Sequence, residues 1–524
     1  MRDVIPKGEE RHVPHAGTAP SGTADPDLPA TVVAGRTRTW RESAERVARL
    51  AAALDGLGVA AGDRVGVLAL NSDRYHEYLF AVPWAGAVLN PVNVRWSPQE
   101  IAFSLRDSDT RVLLVDDTFA GLVPALRADT PRLRTVIHCG DGPTPEGTLS
   151  YEDLVAGHEP VADARRGPED LAGIFYTGGT TGRSKGVMLS HANLVASALG
   201  SAASGVFLGP GGRLLHVAPM FHLADLAAWS ARCLLGGTHV ILPSFTPAGM
   251  LAAVETERVT EVLLVPTMIQ MLVDDPAAGD ADLSSLRRVI YGASPISEAV
   301  LDRASRVLPN CEFTQAYGMT ELSPVATLLS PQDHRDAVRR RSAGRAAPHS
   351  DVRIVDPEDV EVPLGEVGEI VVRGGHVMMG YWERPEETAQ ALRNGWMHTG
   401  DGGRMDADGY VHVVDRIKDM IISGGENVYS VEVENALAKH PGVASCAVIG
   451  VPDEEWGERV HAVVVLAAGA QVEPEELRAH VRAQIAGYKT PRSVEFVDAL
   501  PMSGAGKILK RELRARHRAP EPAR

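Results

Sequence analysis

The sequence predicts an α/β fold: a large N-terminal domain of parallel-rich sheets covered by helices, a small β-rich subdomain, and a small α+β domain at the C-terminus. Three observations carry that prediction. From residue 40 onward helical patterns alternate with short apolar runs, the pattern of parallel strands joined through helices. After about residue 340 the texture changes to short strands between Gly-rich turns. Beyond Arg416 a helix, two strands and another helix follow in close order.

The stretch "WRESAERVARLAAALDGL" repeats its apolar residues at helical spacing and predicts the first helix. Next, "RVGVLAL", "RVLLVDD" and "TVIHCG" predict strands. "LAGIFY" predicts a buried strand that runs into "FYTGGTTGRSKGV", residues 175–187. Without Cβ atoms the glycines there let successive N–H groups converge on one point, and Thr and Ser hydroxyls add donors, so phosphate oxygens are the natural guest. A flexible surface loop is the plain alternative. "SHANLVASAL" predicts a helix opened by Ser190, giving the order strand, anion loop, helix. The Gly-x4-Gly-Lys-Ser/Thr spacing of the P-loop occurs nowhere in the chain. "RLLHVAPM", "THVILP", "EVLLVP" and "RRVIYGAS" predict further strands, several ending in small residues where loops begin; open α/β sheets bind ligands outside such ends. "VRIVD", "GEIVVRG" and "GYVHVVDR" form the β-rich subdomain. In the last domain "SVEVENALAKHP" and "PEELRAHVRAQIA" read as helices, "VASCAVIGVPD" and "RVHAVVVLAA" as strands.

A length of 524 residues suggests about three folding units at ~150 residues each. Hydrophobic content of 44% with 23% charged residues is that of a soluble globular protein. The net charge of −16 argues against general nucleic-acid or anionic-membrane binding, so a polyanionic ligand must meet locally gathered Lys and Arg. Cys139, Cys233, Cys311 and Cys446 match no zinc spacing and fit a reduced, cytoplasmic compartment. Residues 1–30 lack the apolar core of a signal peptide and are expected to form a disordered tail. No apolar run approaches the ~18 residues of a membrane span.

Five more stretches stand out. "HVAPMFHLADL" ends a strand with Phe221 and His222; "TQAYGMTE" gathers Tyr317, Gly318, Thr320 and Glu321 in one turn; "GWMHTGD" ends on Asp401. "DRIKDMIISGGENVYSVEVE" joins a charged linker to a Gly-Gly turn, and "PMSGAGKILKREL" sets Lys507 on a Gly-rich loop. Taken singly, each has a plain reading: a packed or capping histidine, a core tyrosine, a helix-start carboxylate, a turn aspartate, a solvated basic tail.

Their order across residues 175–507 is far more specific. It resembles the adenylate-forming superfamily of acyl-CoA synthetases, adenylation domains and luciferases, most closely the fatty-acid or coumarate-type CoA ligase branch, over nearly the whole chain after residue 30. The resemblance implies that residues 31–415 form an adenylation domain and residues 416–524 a mobile C-terminal domain. Thr177, Gly178, Gly179, Thr180, Thr181, Gly182 and Lys185 would hold the β- and γ-phosphates of ATP. Gly178 stands where Ser is common and Ser184 where Pro is common, keeping the loop small and polar. Tyr317 would stack on adenine beside Gly292, Ala293 and Ser294, with Gly318 and Met319 completing that turn. Thr320 would contact the α-phosphate, Glu321 would hold Mg²⁺, and Asp401 and Arg416 would bind the ribose.

In that chemistry a carboxylate attacks the α-phosphorus of ATP, so fixed cations and donors must offset the approach of two anions. Lys507 would bridge the acid and the α-phosphate, and His222 would flank and gate the carboxylate site. The C-terminal domain would then rotate about Lys418, bringing a loop whose Gly424 and Gly425 leave room for the pantetheine arm of CoA. The acid would lie near Phe221, Leu223, Ala224, Val265, Met268, Gln315 and Ala316, small or mostly apolar residues that favour a bulky or long hydrophobic acid. Asp225 either reaches a polar group or faces water, and water is the favoured expectation.

The expected activity is therefore ATP-dependent carboxylic acid:CoA ligation, with ATP, Mg²⁺ and CoA as reagents and small molecules as partners. The runner-up passes acyl-AMP to a carrier protein or partner enzyme. A nucleotide-binding regulator would be expected to lack Lys507 or Glu321, and both are present. A homodimer is compatible with all of this; stable membrane insertion is not expected.

Overall fold

The computed structural model describes residues 25–177, 184–294, 296–416, 419–423, 426–453, 455–502 and 508–517. Two large sheets lie at its centre. The nine-stranded sheet runs in the order Arg345–Ala346, Thr327–Leu329, Glu312–Tyr317, Arg288–Gly292, Glu261–Leu264, Arg213–His216, Thr238–Ile241, Pro29–Val33, Arg36–Thr39. From Glu312–Tyr317 across to Pro29–Val33 every neighbouring pair is parallel, and antiparallel pairs close both edges. The eight-stranded sheet repeats the plan. Leu171–Thr177, Val88–Pro91, Arg64–Leu68, Val112–Val115, Thr135–His138 and Leu149–Ser150 are parallel, while Lys185–Ser190 and Gly380–Tyr381 add an antiparallel edge.

Parallel strands are covered by helices on both faces, which is why they read as continuous apolar runs: all of Val112–Val115 is buried. Where a charge enters such a strand it is paired, as Glu261 is with the buried Arg232 guanidinium at 2.6 Å. Helices begin at side chains that satisfy their first N–H groups. Thr39 with Glu42, Ser97 with Glu100, and Ser190 with Asn193 each form a reciprocal capping pair.

A third, five-stranded sheet is antiparallel throughout and contains Asp351–Val355, Gly368–Arg373, Leu392–Arg393, Trp396–Met405 and Val411–Arg416. Its Ile354, Ile370 and Met397 share one core with Leu50, Tyr78, Leu89 and Phe175 of the eight-stranded layer. The last sheet has cores of its own. On one face of the hairpin Val443–Asp453 and Gly457–Leu466, Val448, Val460, Ala462 and Val464 pack against Val433, Leu437, Leu477 and Val481 of two helices. On the other, Ala447, Ile449 and Val463 pack with Leu513 of the helix Lys510–His517.

Two expectations change. The tail expected over residues 1–30 overlaps ordered chain: Pro29–Val33 is a strand of the nine-stranded sheet and Ala30 is fully buried. The phosphate-loop candidate is followed by a strand, Lys185–Ser190, before the helix His191–Ala203 begins. "KGVMLS" alternates, with Val187 and Leu189 buried, and folds back on the preceding strand so that Thr177 faces Lys185. The loop thus connects a β-hairpin. Among the described residues no helix is long and apolar enough to cross a membrane.

Candidate active site

The ends of two parallel strands, Arg288–Gly292 and Glu312–Tyr317, set one side of the site, with Gly292 beside Ala316. A Cβ on Gly292 would lie 2.2 Å from the Ala316 carbonyl oxygen, so the close approach of the two strands excludes a side chain there. Ala293 follows in the left-handed region, φ 66°, and turns the chain sharply away. Tyr317 ends its strand, and its hydroxyl donates to Asp401 Oδ2 at 2.8 Å. Asp401 faces Arg416 across an antiparallel pair, and Arg416 Nε lies 3.2 Å from Asp401 Oδ1. The backbone N–H of Asp401 donates to Thr399 Oγ1. Burial, and then the Asp401 charge, hold the Tyr317 hydroxyl well above the usual tyrosine range, so it remains a donor.

A second group lies around Tyr381. Its hydroxyl donates to Oε1 of the buried Glu321 at 2.8 Å, and Lys185 Nζ sits 5.0 Å from its ring centroid. Glu321 belongs to the short turn Thr320–Leu322, which follows Gly318 and Met319. A Cβ on Gly318 would strike the Pro324 carbonyl oxygen at 1.9 Å. Tyr381 thus joins the cation at the end of the phosphate-loop hairpin to the carboxylate of the "YGMTE" turn. Its sequence signal, one of two adjacent aromatics in "MGYWERP", does not distinguish it from core.

The third group is apolar. His222 precedes the helix Leu223–Leu235 as its N-cap residue, its ring centroid 4.2 Å from that of Phe221. Asn71 fixes the turn before it, donating to the Ala218 carbonyl and accepting from the Met220 N–H. Sequence reasoning missed Asn71 because a lone Asn in a loop carries no pattern. The remaining candidates divide between the two faces of the nine-stranded sheet. Ala224 and Ala316 pack against one cluster with Leu263 and Ile290, whereas Val265 and Met268 join Tyr291 in another. Gln315 is register-paired with Tyr291 and, one residue from Ala316, points to the opposite face from it.

Asp225 overturns its expectation of facing water. It is buried and bonded to His216 Nδ1 at 2.8 Å; His216 Nε2 meets His239 Nδ1 at 2.9 Å, and His239 Nε2 lies 3.5 Å from Cys233 Sγ. A continuous run of donors in one direction satisfies every contact, as when Cys233 donates to His239, His239 to His216, and His216 to the Asp225 carboxyl group. Burial holds His239 well below the ordinary histidine range, in keeping with neutral rings. The pattern is invisible in sequence because the cluster joins two neighbouring strands to one helix.

Gly178, Gly179, Thr180, Thr181, Gly182, Lys418, Gly424, Gly425 and Lys507 lie outside the described residues. Thr177 and Lys185 flank the first of these stretches, and Arg416 ends the strand before Lys418.

Residues 20–382 match the model of the AMP-binding enzyme family, and residues 432–507 that of the AMP-binding enzyme C-terminal domain. The chain belongs to the AMP-binding enzyme family. Feruloyl-CoA synthase of an Amycolatopsis species is 46% identical over 484 residues, covering 92% of this chain and 94% of that one. Fatty acid–[acyl-carrier-protein] ligase ScoC of Streptomyces coeruleorubidus is 38% identical over 502 residues, covering 94% of each. Among solved structures, ATP-bound MatB from Rhodopseudomonas palustris superposes with a TM-score of 0.86 at 33% identity, covering 94% of this chain and 97% of that one. The fold and the adenylate-forming branch expected from the sequence are those of these relatives. As a member of the family, the protein is an AMP-forming acid–thiol ligase: it joins a carboxylic acid to CoA through an acyl-adenylate, using ATP and Mg²⁺.

Proposed function

We propose that the acid is bulky and largely apolar, and that an aryl-substituted propenoate of the ferulate type is its best representative. The observation that carries this is that Ala224 and Ala316, both half-buried, pack against the same hydrophobic cluster on one face of the nine-stranded sheet, with Phe221 and His222 just before the helix that bears Ala224. Methyl side chains at both positions present less bulk than larger apolar residues would, which favours a wide acid, and the feruloyl-CoA synthase relative supports the same class. Val265, Met268 and Gln315, on the other face, have less part in the pocket under this reading.

The remaining roles follow the chemistry of the groups. Tyr317 offers a ring for adenine, with Gly292, Ala293 and Ser294 at its edge. Asp401 accepts from the ribose hydroxyls and Arg416 holds it in place. Thr177, Lys185 and the loop between them take the β- and γ-phosphates, and Thr320 takes the α-phosphate. When bound, Mg²⁺ offsets phosphate charge; Glu321 is the hard oxygen donor suited to hold it, oriented by the Tyr381 hydroxyl. Lys507 approaches the reacting carboxylate, and the segment from Lys418 through Gly424 and Gly425 serves the later transfer to CoA. Under this reading the boundary between the two domains falls at residues 415 and 416. A cytoplasmic enzyme suits both reagents and the four free cysteines.

Hydroxylamine trapping of acyl-AMP across a panel of acids tests the substrate class. Ferulate and coumarate are expected to exceed acetate and malonate by well over tenfold in kcat/KM. Preference for a short or dicarboxylic acid overturns it. Acyl-adenylate that accumulates with free CoA present, yet transfers to a carrier protein, replaces CoA with the acceptor named for ScoC.

A further inference from the structure

We propose that the C-terminal sheet carries a binding site for a divalent transition metal of the zinc class, formed by His461, Glu495 and His517. His461 lies on the strand Gly457–Leu466, Glu495 on the neighbouring parallel strand Ser493–Phe496, and His517 at the end of the helix Lys510–His517. One ligand atom from each lies within 4.8 Å of the other two. Among the described residues this is the one such gathering of three His, Cys, Asp or Glu groups.

The detail of the contacts favours a cation over a simple ion pair. Both imidazoles aim Nε2 at the same carboxylate oxygen, Glu495 Oε2, at 3.5 Å from His461 and 3.1 Å from His517. Neither Nε2 makes a hydrogen bond of acceptable geometry, although both atoms are buried, and the His461 side chain is only 6% exposed. Two ring nitrogens that converge on one carboxylate oxygen without well-aligned hydrogen bonds are placed as donors around a shared cation would be. Tetrahedral zinc with bonds of ~2.0–2.1 Å sets its donor atoms about 3.3 Å apart, close to both contacts.

The surroundings fit as well. His461 Nδ1 hydrogen-bonds Ser493 Oγ at 2.8 Å, so the ring orientation that presents Nε2 is fixed by the far nitrogen, as metal-binding imidazoles require. Ser493 is the register partner of His461 and shares a strand face with Glu495. The helix bearing His517 is held independently by buried Leu513 and by Arg514 on Asp419 at 2.7 Å. Arg459, the nearby cation, is engaged by Asp453 at 3.7 Å. Glu495 is 39% exposed and His517 23%, leaving an open side for entry and for water as fourth ligand. Two imidazoles and one carboxylate suit zinc and its neighbours in the first transition row better than Mg²⁺, which prefers an all-oxygen shell. None of the three residues belongs to the nucleotide or acyl site, so this site stands apart from the substrate metal.

The test uses full-length enzyme stripped of metal and titrated with Zn²⁺ against a chromogenic chelator, without ATP. One tight equivalent is expected, and Co²⁺ should give the visible bands of a four-coordinate site. His517→Ala, at a partly exposed helix end, and Glu495→Gln should each weaken Zn²⁺ binding by more than ~10-fold, with folding and Mg²⁺-supported, zinc-free ligase activity retained; Ser493→Ala should weaken it by ~10-fold. Mg²⁺ should not compete. Failure of the wild-type chain to take up an equivalent, or Zn²⁺ affinity in His517→Ala and Glu495→Gln within twofold of wild type, shows an ion pair only and overturns the proposal.

Discussion

The proposed nucleotide end and the proposed acyl end of the site are built on different plans. At the nucleotide end Tyr317, Asp401 and Arg416, and again Lys185, Tyr381 and Glu321, come from segments far apart in sequence and are tied to one another by hydrogen bonds, an ion pair and a cation–π contact. At the proposed acyl end Phe221, His222, Ala224 and Ala316 are placed by a helix start, a strand end, and a turn pinned by the Asn71 side chain. A nucleotide has fixed polar groups and rewards fixed partners. An acid that varies in its tail is met by shape, which a single methyl group can change.

Under the proposed roles Lys507 serves both ends, so its loss should be the largest effect. Lys507→Ala is expected to lower acid-dependent ATP–pyrophosphate exchange by ~10²–10³, the usual scale for a preorganised donor at developing charge, while CoA transfer from supplied acyl-AMP persists. Equal loss of both half-reactions contradicts the role. Next is Asp401→Ala, which leaves the Tyr317 hydroxyl and Arg416 without their shared partner. KM for ATP should rise ~10–100-fold, the scale of a charged hydrogen bond, with KM for the acid within about twofold. If the two constants rise together, the ends are not separable.

Ala316→Leu should produce the reverse split. Steady-state kinetics should show kcat/KM for the bulky acid down ~10-fold and KM for ATP unchanged, because overfilling a packed face costs about 1–3 kcal/mol. Tyr381→Phe keeps the ring beneath Lys185 but deletes the hydroxyl on Glu321. A loss of about fivefold, partly restored by raised Mg²⁺, is expected from one hydrogen bond worth ~1 kcal/mol. Restoration by ATP alone would move Tyr381 out of the metal's surroundings.

The smallest effect at neutral pH concerns the imidazoles behind the acyl end. Burial, and then His216, push His76 down to about 3, and His239 lies well below the ordinary range. Their folded values are depressed below the ~6.5 of the unfolded chain, so the unfolded state takes up protons first on acidification. Their contribution to stability is complete above about pH 6.5 and declines as the pH falls below it. Urea midpoints at pH 7.5 and pH 5 should differ in that direction, and less so in His76→Gln. Equal midpoints at both pH values in the wild-type chain would mean the rings are not held neutral.

What the sequence disclosed follows the same division. Strands such as Val112–Val115 and Arg288–Gly292, and the helix after Ser190, were legible because burial on two faces and N-cap chemistry leave local patterns. Tyr317, Glu321, Asp401 and Arg416 were legible because they sit in short motifs of unusual composition, and the structure gathers them into two linked groups. Tyr381, Asn71 and the chain from Asp225 to Cys233 were not, since each works through a partner distant in sequence. Lys185–Ser190 escaped notice as a strand because six residues with one glycine look like the exit of a loop.

The strand Val411–Arg416 sends successive side chains to opposite faces. Arg416 reaches Asp401, while the carboxylate beside it, Asp415, takes both the backbone N–H and the hydroxyl of Ser430, each at 2.6 Å, where the helix Ser430–Leu437 begins. One peptide bond therefore separates the grip on Asp401, the carboxylate proposed for the ribose, from the grip on the first helix of the C-terminal sheet. Linkage makes such neighbours reciprocal: if a bound nucleotide tightens Arg416 in a way that favours the Asp415–Ser430 clasp, opening the clasp must loosen the nucleotide by the same factor. The strand end would then act as a toggle, its two settings read by the nucleotide on one side and by the small domain on the other.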